Sequence, residues 1–183
     1  MKMKFIPKII AAAFGLSAAQ AALAVDGTID FNGEITANTC TVKVDNSSTG
    51  SGIVTLPPVS VSVFPTVNSV AGTTAFNIEL SNCSITTDTT VSAYFEPGAY
   101  TTTSGRLAQS DASGANNVDI QLLNSDQDVI DLFAASGNQN STNVTMNTGE
   151  SSATLTYYAQ YYSTGVVTPG LVTSQVSYSI SYD

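Results

Sequence analysis

Histidine is absent from this chain, and that absence removes a large part of enzyme chemistry. Serine–histidine and cysteine–histidine nucleophile pairs cannot be built within it. The two cysteines, Cys40 and Cys83, are too few on their own for a zinc centre. No glycine-rich phosphate loop is present. Paired carboxylates exist, but acid–base work needs them in one shared cleft. The chain reads as a protein that is not an enzyme and needs no cofactor.

Basic residues are nearly as scarce. Of the five Lys and Arg, Lys2, Lys4 and Lys8 precede an apolar run from Ile9 to Ala19. That run is roughly half the length needed to span a bilayer, so a transmembrane anchor is disfavoured. Small-residue sites follow at Ala22-Leu23-Ala24 and Ala19-Gln20-Ala21. The pattern is a secretory signal peptide over residues 1–24, with an alternative cleavage after Ala21. Beyond it only Lys43 and Arg106 oppose fourteen acidic residues. A nucleic-acid footprint needs clustered cations, and none are available. Binding to an anionic membrane surface is disfavoured for the same reason, and the acidity serves solubility. No later stretch is apolar enough to act as a membrane anchor.

An exported chain with two cysteines reads as holding a disulfide, with two free thiols as the alternative. The bridge would close a loop of about 43 residues, worth roughly 4 kcal/mol on the chain-entropy account.

What remains is rich in Thr, Ser, Asn, Val and Gly. Its apolar runs are short, alternate with period two and are separated by turn residues, the signature of an all-β sandwich of one domain. The alternation predicts strands over Thr28–Ala37, Thr41–Val44, Ile53–Leu56, Thr74–Leu80, Thr90–Phe95, Val118–Leu123, Asn143–Met146, Thr154–Tyr162 and Leu171–Tyr182. Ser60–Ala71 has no clear period and carries a Pro at position 65. "SDASGANN" and "SGNQNSTN" read as polar loops.

Two groups invite a functional reading. In "NSDQDVID", Asp126, Asp128 and Asp131 could offer hard oxygen ligands to Ca²⁺, but the later bidentate Glu of a calcium loop is missing. A polar turn is the plainer reading. Tyr157, Tyr158, Tyr161 and Tyr162 fall on both faces of one strand, which suits core and cross-strand packing better than a carbohydrate platform.

Both ends of the exported chain look unmatched. "GTIDFNGEITANTC" alternates from Gly27 to Cys40, yet sits where chains are usually poorly ordered. The last strand alternates to the penultimate residue, so something must cover its apolar face.

Taken together, these residues resemble the major-subunit pilins of chaperone–usher fimbriae of the type 1 kind. The resemblance rests on "GTIDFNGEITANTC", on "FNIELSNC" ending at Cys83, and on "YYAQYYSTG…TPG" followed by the terminal strand. Gly170, fourteenth from the C-terminus, and penultimate Tyr182 fit the family's C-terminal pattern. It implies an incomplete immunoglobulin-like β-sandwich completed by a donor strand from a neighbouring subunit. Strand addition to an exposed sheet edge is a general mode of recognition, and chaperone–pilin complementation is itself a standard instance of it.

Carried onto this chain, residues 25–33 would be the donor extension, with Val25, Gly27, Ile29 and Phe31 facing a groove, and residues 34–183 the pilin domain. The groove would include Val172, Val176, Tyr178, Ile180 and Tyr182, and Cys40–Cys83 would tie the first strand to its sheet. The implied partners are copies of the chain or other pilins, a periplasmic chaperone and an outer-membrane usher. The implied function is a structural subunit of a cell-surface fimbria that supports adhesion. A minor or adaptor subunit of the same fimbria, and a self-complete secreted carbohydrate-binding sandwich, are the alternatives.

Overall fold

The computed structural model describes residues 39–183, and the segments assigned above to the signal peptide and donor extension, with the strand expected over Thr28–Ala37, lie outside them. Eight strands form two antiparallel sheets. They are β1 (Thr39–Val44), β2 (Val70–Ser84), β3 (Thr89–Glu96), β4 (Leu107–Ala108), β5 (Val118–Leu123), β6 (Asn143–Met146), β7 (Ser152–Ser163) and β8 (Ser177–Tyr182). The larger sheet runs β1-β2-β7-β5-β4 and the smaller β6-β3-β8. A single 3-10 turn, Val61–Val63, is the only helical element among the described residues.

Period two in the sequence becomes two faces in the sheet. On β7, Leu155, Tyr157 and Ala159 point inward and are buried, while Thr154, Thr156 and Tyr158 point outward. Phe76, Ile78 and Leu80 do the same on β2, and Val91, Ala93 and Phe95 on β3. These faces meet in one core with Leu122, Ile130, Leu132 and Met146. Tyr157 sits at its centre, stacked on Phe76 at 5.7 Å and edge-on to Phe95 at 5.1 Å between ring centroids. Such aromatic contacts add to the area they bury. The Cys40–Cys83 disulfide is formed and joins β1 to β2 beside the bulge between Thr39 and Thr41.

Two expected strands come out differently. Ile53–Leu56 has the alternation of a strand, with Val54 and Leu56 half-buried and Ile53 90% exposed, but it pairs with no described residue. Its start lies beside β1, with Gly52 against Val44, and the segment lines a cavity of about 750 Å³ with Thr74, Ala75 and Asn77 of β2. Pro57 and Pro58 then rule out ladder donation beyond it. At the C-terminus only Ser177–Tyr182 joins a ladder; residues 171–176 are extended but outside any sheet. Ser60–Ala71 resolves into the 3-10 turn, a loop, and the first residues of β2.

Candidate functional site

The site follows from a difference between neighbours. β3 has β6 on one side and β8 on the other, and its inward residues Val91, Ala93 and Phe95 are 0, 0 and 2% exposed. Among the described residues β8 has β3 on one side only, and its inward residues Tyr178, Ile180 and Tyr182 are half-buried. The same alternation continues through Val172, Ser174 and Val176, again half-buried. An apolar face at a sheet edge is left half-covered, and an uncovered edge of this kind is a template for another strand.

The uncovered strip is a groove. Its first part, about 590 Å³, lies between Val42 and Val44 of β1, the 50–56 segment, and Val176, Tyr178 and Ile180. Its floor is Phe76, Ile78, Phe95 and Leu122 of the core. The second part, about 690 Å³, is bounded by Pro58, Val61 and Phe64 on one side and by Val172 on the other, with Tyr161 within it. Val54, Leu56, Ile120 and Ser174 line both parts, so the two are continuous.

Both walls carry backbone groups with no partner among the described residues. Residues 171–174 are held to the 109–115 loop through odd positions: Ser110 N–H donates to the Thr173 carbonyl at 2.7 Å, and Ala115 N–H to the Leu171 carbonyl at 2.8 Å. Thr173 N–H donates to Gln109 Oε1 at 2.6 Å. Among the described residues, the backbone groups of Val172 and Val176 have no partner. On the facing wall, residues 52–59 make no hydrogen bond to any described residue. Unpaired backbone beside an apolar trough demands a partner that supplies both hydrogen bonds and side chains.

No carboxylate, ammonium or guanidinium lines either part of the groove. Its titratable groups are tyrosines, and burial raises the pKa of Tyr161 and Tyr178. Burial also raises that of Tyr182, offset in part by a hydrogen bond from the Cys40 backbone. Such a surface buries apolar side chains.

Of the groove residues expected from sequence, Val176, Tyr178 and Ile180 line the first part and Val172 the second. Tyr182 packs against the core at the end of β8 without lining either. Gly170 lies against the backbone of Gly114 and Ala115. Sequence reasoning missed the opposite wall, Gly50–Pro58. The signal was present in the half-strand Val54/Leu56 stopped by two prolines, which was read as an ordinary strand.

The other candidate groups make the following contacts. Asn124 Oδ1 accepts N–H groups from Asp126 and Asp128 at 3.0 and 2.9 Å, and Gln127 adopts a positive φ of 65°. This is a tight side-chain-capped turn. Asp131 Oδ1 accepts from Phe133 N–H, and no three acidic, Cys or His side chains converge among the described residues. Of the tyrosines, Tyr157 is core, Tyr161 is in the groove, and Tyr162 is covered by the Arg106 guanidinium 4.1 Å above its ring. Arg106 in turn pairs with Asp119 at 3.1 Å.

Comparison with known proteins assigns the family. The family model described as "FimA: Type-1 fimbrial protein, A" matches residues 56–183. The chain is 42% identical over 186 residues to the F17 fimbrial protein of Escherichia coli, covering 99% of this chain and 98% of that protein. It is 44% identical over 168 residues to the major fimbrial subunit SMF-1 of Stenotrophomonas maltophilia, covering 89% and 96%. Among solved structures, a chaperone–usher pilus resembles it at a TM-score of 0.58 and 18% identity, covering 86% of this chain and 95% of the other. The P pilus rod subunit PapA matches at a TM-score of 0.58 and 16% identity, covering 78% and 99%. These two support the pilin fold. The chain belongs to the type-1 fimbrial protein family, a family of structural subunits, and is a pilin that polymerises with other pilins into a surface fimbria.

Proposed function

We propose that this pilin polymerises by strand donation at residue resolution as follows. Residues 25–33 of one subunit lie in the groove of the next, with Val25, Gly27, Ile29 and Phe31 turned to its floor. The observation that carries this is the groove itself: core side chains between two walls whose backbone at residues 52–58 and at Val172 and Val176 has no partner among the described residues. A period-two segment fits there, because one strand can pair with both walls and fill the trough with alternate side chains. Residues 34–183 then form the domain that receives the strand.

Before assembly the groove is an aggregation hazard. A periplasmic chaperone that lends a strand, and an outer-membrane usher at which the exchange takes place, meet that need. The signal peptide over residues 1–24 delivers the chain to that route, and the finished fibre supports adhesion at the cell surface.

The test is Phe31→Arg. A guanidinium in the apolar trough would be buried without a partner, and fibres should be lost while folded, disulfide-bonded subunit remains in the periplasm. Normal fimbriae from that strain would overturn the assignment of residues 25–33.

A further inference from the structure

We propose that Tyr178 is a positioning residue for fibre growth: its hydroxyl holds the wall Gly50–Pro58 at the spacing an incoming strand requires. The inference rests on the groove accepting such a strand.

The wall is held by packing and by few hydrogen bonds: Val54 and Leu56 rest against the core, and Gly52 lies against Val44. It follows β1 through the 45–49 turn, closed by Val44 N–H donating to the Thr49 carbonyl at 3.3 Å. From there it departs from the larger sheet, with the cavity against Thr74–Asn77 on its outer side and the groove on its inner side. Residues 52–59 have no hydrogen bond to any described residue. The one hydrogen bond that crosses the groove to this wall, among the described residues, runs from the Tyr178 hydroxyl to the Gly50 carbonyl at 2.6 Å. Tyr178 belongs to β8, the edge of the other sheet, so this bond links two sheets at the gap where a strand is missing.

The tyrosine is itself well placed to act as a strut. Its ring lies 6.5 Å from that of Phe95, which is fully buried, and its backbone pairs with Phe95 in the β3–β8 ladder. The ring is anchored by packing, and the hydroxyl alone reaches the wall. A Cβ on Gly50 would sit 3.5 Å from that hydroxyl, an ordinary contact, so the link depends on the tyrosine oxygen and the Gly50 carbonyl. Holding a binding surface in its bound geometry beforehand removes an ordering cost from association. Once a strand is in place, its own ladder holds the wall, and the hydroxyl becomes dispensable. The effect therefore falls on the rate of growth and spares the finished fibre.

The experiment compares full-length wild-type, Tyr178→Phe and Ile180→Asp chains in fimbriated cells. Pulse-labelled subunit is chased into detergent-resistant polymer, with the rate expressed per folded, disulfide-bonded subunit. Tyr178→Phe keeps the ring and should slow elongation about fivefold, the factor carried by one net hydrogen bond. The dissociation temperature of its finished fibres should match wild type. Wild-type elongation by Tyr178→Phe would overturn the proposal. So would a lowered fibre dissociation temperature or loss of folded subunit, either of which would make the hydroxyl a fold-stabilising group. Ile180→Asp separates this from the groove itself: a floor carboxylate should abolish elongation, and normal elongation there would refute the groove reading instead.

Discussion

Gly170 lies directly against the backbone of Ala115, so closely that a Cβ on Gly170 would overlap the Ala115 nitrogen. The same Ala115 N–H donates to the carbonyl of Leu171, the first residue of the groove wall. A side chain at position 170 would push apart the two strands of backbone that start this wall. Overpacking of this kind costs about 1–3 kcal/mol. Gly170→Ala should therefore lower the urea midpoint of the mature chain saturated with a residue 25–33 peptide, with an unchanged slope. An unchanged midpoint would mean the 114–115 loop yields freely, and the close approach would then have no energetic weight.

Gln139 imitates a strand. β6 begins at Asn143, opposite Ser92, so β3 has no ladder partner on that side beyond Ser92 among the described residues. Side chains take over. Gln139 Oε1 accepts Phe95 N–H at 3.0 Å and its Nε2 donates to the Phe95 carbonyl at 2.7 Å. One step nearer β6, the Tyr157 hydroxyl accepts Ala93 N–H at 3.2 Å and Ser141 Oγ donates to the Ala93 carbonyl at 2.6 Å. Gln139→Leu keeps the volume and strands two buried backbone groups of Phe95. Each unpaired group costs about 1–3 kcal/mol, so a loss of at least about 2 kcal/mol is expected. Urea unfolding of the peptide-saturated chain measures it, and a loss below 0.5 kcal/mol, an order-of-magnitude floor for surface changes, would show that Phe95 finds other partners.

These side-chain ladders mark where the sequence stops being legible. The strands Val118–Leu123 and Asn143–Met146 could be bounded from the alternation of apolar and polar residues, although β5 buries Gln121 and Leu123 on its second face as well. Alternation also marked Val172, Val176, Tyr178 and Ile180 as one face of an extended segment, and their role in a groove came from the family resemblance alone. Ile53–Leu56 was misread, because period two reports a half-buried extended chain and says nothing about whether a neighbour is present. The two-residue β4 is too short to show a period. "SGNQNSTN" was read as a polar loop, yet Gln139 within it is 2% exposed, its polarity spent on backbone groups of Phe95. Composition cannot distinguish polarity that faces water from polarity that replaces a strand.

The open groove sets the stability of the subunit alone. With Val176, Tyr178 and Ile180 half-covered, the mature chain should unfold at low denaturant on its own and gain stability from a residue 25–33 peptide. Binding to the native state alone adds RT ln(1 + [L]/Kd), so the unfolding midpoint should climb with the logarithm of peptide concentration. A peptide carrying Phe31→Arg should give a much smaller shift. A monomer that melts high and ignores the wild-type peptide would show that the sandwich is complete without a donor.

Alkali should undo this fold more effectively than acid. Burial raises the pKa of Tyr157, deep between the sheets, of Tyr161 and Tyr178 in the groove, and of Tyr182 at the end of β8. A raised folded-state pKa means the unfolded chain loses its proton first. The tyrosine contribution is therefore fully present below the ordinary value of 10.0 and is lost as pH rises from there through the folded-state values. On the acid side, hydrogen bonds lower the pKa of Asp88, held by Thr148, and of Glu150, held by Asn147. Their contribution is present above the ordinary values of 3.8 and 4.5 and is lost as pH falls through the lower folded ones. Both carboxylates are fully exposed, so solvent screens the effect and only the 147–150 turn should loosen. The check is a pH series of thermal unfolding on the peptide-saturated chain, with tyrosinate absorbance read in parallel. Stability should fall as phenolate appears above pH 10, and a chain that stays folded while all its tyrosines ionise would contradict the burial of Tyr157.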